Sequence, residues 1–138
     1  MAAYVLDASA LMAFFEDRTG AEKVEGLLFK AAETKRPLLM SVINWGEVYY
    51  ATWRAHGESV AFAKLRQTAL LPVELIEASA ELALAAATLK AQHGLPYADC
   101  FAAALAETRK ATLITSDKDF ESVASVVRIL WIGDPPVS

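Results

Sequence analysis

Little in this chain belongs to an oxidising or membranous setting. Its 138 residues include one cysteine, Cys100, so no intramolecular disulfide can form, which suits a reducing compartment. No apolar run reaches the ~20 residues needed to cross a bilayer. The N-terminus offers neither a basic n-region nor a cleavage site, so no signal peptide is expected. His56, His93 and Cys100 are too few and too far apart for the closely spaced ligands of a zinc site. Cations are in the minority as well: 13 Lys and Arg stand against 17 Asp and Glu, a net charge of −4. Bulk attraction to nucleic acid is therefore not offered, because phosphate binders usually present a basic face. The expectation is a cytoplasmic protein without membrane association.

What is present is apolar and regularly punctuated. Hydrophobic residues make up 55% of the chain, many of them alanine, which points to closely packed helices. A chain this long can bury about 68–70% of its unfolded surface in one domain. A single domain is expected over residues 1–132, followed by a frayed tail over 133–138. Tyr4-Val5-Leu6 reads as a strand, and Ser9 as the cap of a helix through Phe15. Helical periodicity resumes over Ala21–Thr34, and Leu38-Leu39-Met40 is strand-like. Ser41 is a fair cap for a helix over Ile43–Ala55. Beyond it come a helix over Glu58–Leu70, a strand Val73–Ile76 and a helix over Glu77–Gln92. The chain then gives a helix over Tyr97–Lys110, a strand Thr112–Thr115, a turn at Ser116–Asp119 and a last strand over Val127–Leu130. Strands alternating with helices predict an α/β domain, a three-layer α/β/α sandwich around a mainly parallel sheet of four or five strands. Strand order is not legible.

Four acidic residues share one feature. Asp7 ends the first strand, Glu47 lies early in the helix after Leu38–Met40, Asp99 is in the first turn of the helix at Tyr97, and Asp117 follows the strand Thr112–Thr115. In a parallel sheet all four lie at the carboxyl edge, where α/β folds bind ligands. Carboxylates gathered without cations repel one another, which raises their pKa and costs stability. A divalent cation relieves that cost, and Mg²⁺ prefers hard oxygen ligands of this kind. Taken singly, Asp99 and Asp117 read as helix caps and Glu47 as a solvated surface residue. Together, each at the same edge, they read as a metal site, with Asp119 holding the turn or supporting the ligands from behind. An acidic chain can still handle nucleic acid through bound cations.

At this point the chain resembles a known family. Val5-Leu6-Asp7-Ala8-Ser9-Ala10-Leu11, Ser41-Val42-Ile43-Asn44-Trp45-Gly46-Glu47-Val48, Leu95-Pro96-Tyr97-Ala98-Asp99-Cys100-Phe101 and Leu113-Ile114-Thr115-Ser116-Asp117-Lys118-Asp119-Phe120 are similar to the motifs of PIN-domain proteins, above all VapC-type toxins of bacterial toxin–antitoxin pairs. The resemblance spans nearly the whole chain. It implies a Mg²⁺- or Mn²⁺-dependent endoribonuclease that forms a homodimer and is inhibited by a cognate antitoxin. It further implies catalytic roles for Asp7, Glu47, Asp99 and Asp117. Asp7, Asp99 and Asp117 would be metal ligands, and Glu47 a further ligand or the group that deprotonates the nucleophile. Ser9 and Thr115 match small hydroxyl positions lining the site, and with Arg54 and Lys118 they are the candidates for contact with RNA.

The remaining features admit plainer readings. His56 and His93 sit beside glycine at helix ends, where imidazole can bond the last carbonyls. Cys100 reads as a small buried hydrophobe. Trp45, Tyr49 and Trp53 recur every fourth residue, either as ordinary core or as an apolar groove for an antitoxin helix. One alternative to the nuclease is a non-catalytic PIN-like module that binds RNA or a partner. A haloacid-dehalogenase-type phosphatase is disfavoured because Ser9 stands where a second Asp is required. A response-regulator receiver is disfavoured because the first strand offers only Asp7.

Overall fold

The computed structural model describes residues 3–133. Five strands, β1 (Tyr4–Leu6), β2 (Leu38–Ser41), β3 (Val73–Ile76), β4 (Thr112–Thr115) and β5 (Ile129–Trp131), form one sheet in the order β3-β2-β1-β4-β5. Every pairing is parallel. The central strands β1, β2 and β4 are short, largely buried runs rather than alternating ones, as a sheet covered on both faces requires, while the edge strands β3 and β5 are more open. Register sorts their side chains. Val5 pairs with Leu39 and Leu113, and these three face one core, while Leu6 pairs with Ile114 and faces the other.

The first of those cores is closed by α5 (Ala80–His93) and α6 (Tyr97–Arg109). Every residue of α6 from Cys100 to Ala106 is buried, and four of the seven are alanine, so this helix lies close against both the sheet and α5. The second core is closed by α1 (Ala8–Phe15) and α2 (Ala21–Thr34), through Ala10, Ala13, Val24 and Leu28. The result is the three-layer α/β/α sandwich expected from the sequence, with five strands. Two further helices, α3 (Val42–His56) and α4 (Glu58–Thr68), pack as a pair beside it. A small cluster of Leu11, Met40 and Val48 ties α3 to α1 and β2. No helix among the described residues is long and apolar enough to cross a membrane.

Several element ends differ from the sequence reading, each for a local reason. Asp7, not Ser9, caps α1: its backbone is extended and its side chain accepts from the Ala10 N–H, which leaves Ser9 inside the first turn. Helix α5 begins three residues later than expected because Ser79 caps it through the Leu82 N–H. The turn after β4 continues as a 3₁₀ helix over Lys118–Val123. Val127 is buried against the α5–α6 side before β5 begins at Ile129. The Ser41 cap is present, accepting from the Ile43 N–H. Of the expected tail, residues 134–138 lie outside the described residues.

Candidate metal centre

Strand order places the acidic residues. The sheet reverses direction of growth at β1, with β2 on one side and β4 on the other, and the crevice at such a switch point opens at the carboxyl ends of the strands. Asp7 follows β1, Asp117 follows β4 after one residue, and β2 runs directly into α3, which carries Glu47. Asp99 lies in the first turn of α6, the helix that leads back into β4 and so starts at the same edge.

Asp7 is the most enclosed of the set, 4% exposed. Its Oδ1 accepts from the Ala10 N–H at 2.8 Å and its Oδ2 from the Thr115 hydroxyl at 2.5 Å. The Ser9 hydroxyl lies 2.8 and 2.9 Å from the two oxygens. Each hydroxyl is in turn held by a backbone donor. The Ser116 N–H bonds Ser9 at 3.1 Å, and the Asp117 N–H bonds Thr115 at 2.9 Å. Two backbone amides of the β4 loop are thus relayed through hydroxyls onto one carboxylate. Burial pushes the Asp7 carboxyl up to about 6, against the hydrogen bonds from Thr115, Ala10 and Ser9, with the charge of Asp117 adding to the rise.

Asp99 and Glu47 carry the same signature of crowding. Burial raises the Asp99 carboxyl to about 7, helped by the charges of Asp117, Glu47, Asp7 and Asp119. Glu47 is raised by burial and by Asp117, while the Asn44 side chain works the other way by donating to it. The four residues singled out from the sequence, together with Asp119, are therefore close enough to act on one another. One oxygen from each of Asp99, Asp117 and Asp119 lies within 4.8 Å of the others. Among the described residues the ion pairs are Arg18–Glu16 and His56–Glu16, so none of the described cations is paired with this group. Hard oxygens, unpaired negative charge and raised pKa values fit a divalent cation of the Mg²⁺ or Mn²⁺ kind, and the donor set contains no sulfur or imidazole that would favour zinc.

Other expectations fare differently. Ser9 and Thr115 do not stand free for a substrate: Thr115 is fully buried and both hydroxyls bond Asp7. Asp119 is exposed, and its N–H donates to Asp117 at 2.9 Å, so it both holds the turn and presents a carboxylate to the group. Lys118 is exposed, and Arg54 lies over the Tyr50 ring with 5.4 Å to its centroid. The aromatic stripe is not core. The buried face of α3 is Asn44, Val48 and Thr52, while Trp45 and Tyr49 are half-buried and Trp53 is 44% exposed, edge-on to Tyr49. A cleft of about 730 Å³ between α1, α3 and α4 is lined by Phe15, Ala55 and Val60 among others, but by none of that stripe. His56 bonds Glu16 at 3.3 Å rather than a helix carbonyl. Cys100 is buried, as expected, with its thiol directed to the Leu95 carbonyl at 3.7 Å. The residue that sequence reasoning missed is Asn44, whose part is visible only once α6 is seen beside α3.

A model of the PIN domain matches residues 4–126. No curated protein matches the chain by sequence. Among solved structures it is similar to VapBC2 from Rickettsia felis bound to a DNA fragment from its promoter, with a TM-score of 0.70 and 21% identity over 92% of this chain and 96% of that one. It is also similar to VapBC-1 from nontypeable Haemophilus influenzae, with a TM-score of 0.67 and 22% identity over 93% and 96%. A third is the sarcin–ricin loop cleaving toxin VapC20 of Mycobacterium tuberculosis, with a TM-score of 0.68 and 16% identity over 88% and 95%. At these identities the likeness is one of fold.

Proposed function

Since the chain belongs to the PIN-domain family, we propose that it is a Mg²⁺- or Mn²⁺-dependent endoribonuclease, the toxin of a toxin–antitoxin pair. The observation that carries this reading is the group of mutually repelling carboxylates at the switch point, with no basic side chain paired to any of them among the described residues. Such a group costs stability unless a cation occupies it. Asp7, Asp99 and Asp117 would hold the ion, with Asp119 near enough to join them. A cation bound there lowers the pKa of water, orients the phosphate and stabilises the leaving oxygen.

The chain's own part is positioning and charge. Asp7 is fixed by three donors, which set the direction of its oxygens. Glu47 keeps one oxygen on Asn44, and its other, which has no hydrogen-bond partner among the described residues, would accept a proton or serve as a further ligand. Lys118, next to Asp117 in the chain, and Arg54, on the helix that carries Glu47, are both exposed and are the cations we assign to contact with phosphates. The partially exposed aromatics of α3 and the apolar cleft beside it offer an antitoxin segment a surface to cover. A homodimer completes the reading by resemblance.

Asp99→Asn tests it. The change keeps the side chain's shape and removes a charge that four neighbouring carboxylates oppose. The variant should melt at a higher temperature than the parent in EDTA, yet lose Mn²⁺-dependent cleavage of RNA. Cleavage that persists in EDTA, or full activity in Asp99→Asn, would overturn the assignment. RNA bound but uncut by the Mn²⁺-loaded parent would favour the non-catalytic module.

A further inference from the structure

On α3 the side chains at 44, 48 and 52 recur every fourth residue and make the buried face. Val48 is apolar, as a core position calls for, but position 44 carries an amide with no exposed surface. Burying an amide costs roughly 1–3 kcal/mol unless its hydrogen bonds are replaced. Only half of this one is repaid, because Oδ1 has no partner among the described residues. The NH₂ group is the half that is used. It donates to Glu47 Oε1 at 2.8 Å and to the Ala98 carbonyl at 3.0 Å. Two acceptors around one nitrogen fix the amide's orientation, since the reverse would set its oxygen against both of them.

Those acceptors belong to different parts of the chain. Glu47 is one turn along α3, whereas Ala98 is 54 residues away and immediately precedes Asp99 in the first turn of α6. One side chain thus spans the two helices that bring Glu47 and Asp99 to the site. A hydrocarbon of similar size would fill the space more cheaply but could not make this link. A Lys or Arg would make the link but neutralise Glu47. An amide holds the carboxylate by a neutral donor and leaves its charge for a cation.

We propose that Asn44 is a positioning residue, which fixes the direction of the Glu47 carboxylate and its placement relative to Asp99 by bracing α3 against the start of α6. The inference rests on the metal-site reading above and adds to it a residue that touches neither metal nor substrate. The test is Asn44→Val, which keeps the packing without the donor, with Asn44→Ala beside it should the branched side chain not be accommodated. Circular dichroism should show the parent's helix content and a cooperative melt. Mn²⁺ affinity by calorimetry should fall by about 10-fold or more, the scale typical of residues that orient metal ligands. With RNA as substrate, kcat should fall by a similar factor and KM should hold. In a Glu47→Gln background, Asn44→Val should cost nothing further, because a residue acting through Glu47 is non-additive with it.

Parent-like Mn²⁺ affinity in both folded variants, or fully additive losses in the double variant, would overturn the inference. A parent that binds Mn²⁺ in an Asn44-dependent way yet cuts no RNA would overturn the nuclease reading and leave Asn44's role standing. A parent that cuts RNA, with Asn44→Val equal to it, would do the reverse.

Discussion

Asp7 and Thr115 form the tightest pair of side chains in the site, and Thr115 serves it in both directions: it donates to Asp7 and accepts from the Asp117 N–H. Thr115→Val keeps the β-branched shape and removes both bonds. A buried acceptor and a backbone donor are then left short, at about 1–3 kcal/mol. Urea unfolding at pH 7 in EDTA should show a lower midpoint with an unchanged slope, and the Asp7 carboxyl should titrate higher, because the Thr115 hydroxyl donates to its charged form and so holds it down. A midpoint equal to the parent's would mean that the hydroxyl contributes nothing there. At this scale, the sequence showed which carboxylates to suspect, because each sits where a strand ends or a helix starts. It did not show which small polar residues serve them. Serine is a good helix cap, so Ser9 read as one, and only the backbone geometry reveals that Asp7 takes the cap. Asn44 read as nothing in particular, since its meaning comes from a carbonyl 54 residues away.

The elements are held in place by a few positions where backbone meets backbone. Gly20, before α2, has φ +94°, and a Cβ built there would lie 2.3 Å from the Ile132 carbonyl oxygen. Both the conformation and the clash forbid a side chain, and the contact seats the start of α2 against the end of β5. Gly20→Ala should therefore destabilise by about 2 kcal/mol or more, read as a fall in the unfolding midpoint. A control at Gly57, also at positive φ but with open space around it, should lose less. Helices and strands of this chain were largely legible because apolar periodicity and cap residues agree, as at Ser41 for α3. The ends that shifted are those a cap decides, as where Asp7 rather than Ser9 caps α1 and where Ser79 delays the start of α5. Strand order was not legible at all, because it depends on which crossover each helix makes. It is nonetheless what turns four scattered carboxylates into a group.

Across the described residues of the molecule, the clear shifts among carboxyl groups all go one way: Asp7, Glu47 and Asp99 are raised. A carboxyl whose folded pKa exceeds its unfolded value binds more protons in the native state through the interval between the two, so stability falls as pH rises across it. For Asp7 that interval runs from 3.8 to about 6, and for Asp99 from 3.8 to about 7. Their contribution is fully favourable below the lower bound and lost above the upper one. Asp7, being enclosed, is worth about 2–3 kcal/mol over its interval. Asp99 is half-buried and adds less than its shift alone implies, because solvent screens it. At about 4 °C per kcal/mol for a chain of this size, melts in EDTA should drop by roughly 10 °C between pH 4.5 and pH 7.5. Saturating Mn²⁺ should flatten or reverse that slope, since the ion binds only the deprotonated group and stabilises the fold that holds it. A melting temperature in EDTA that rises through the same window would contradict the crowding on which the site depends. A slope that Mn²⁺ leaves untouched would separate that crowding from metal binding.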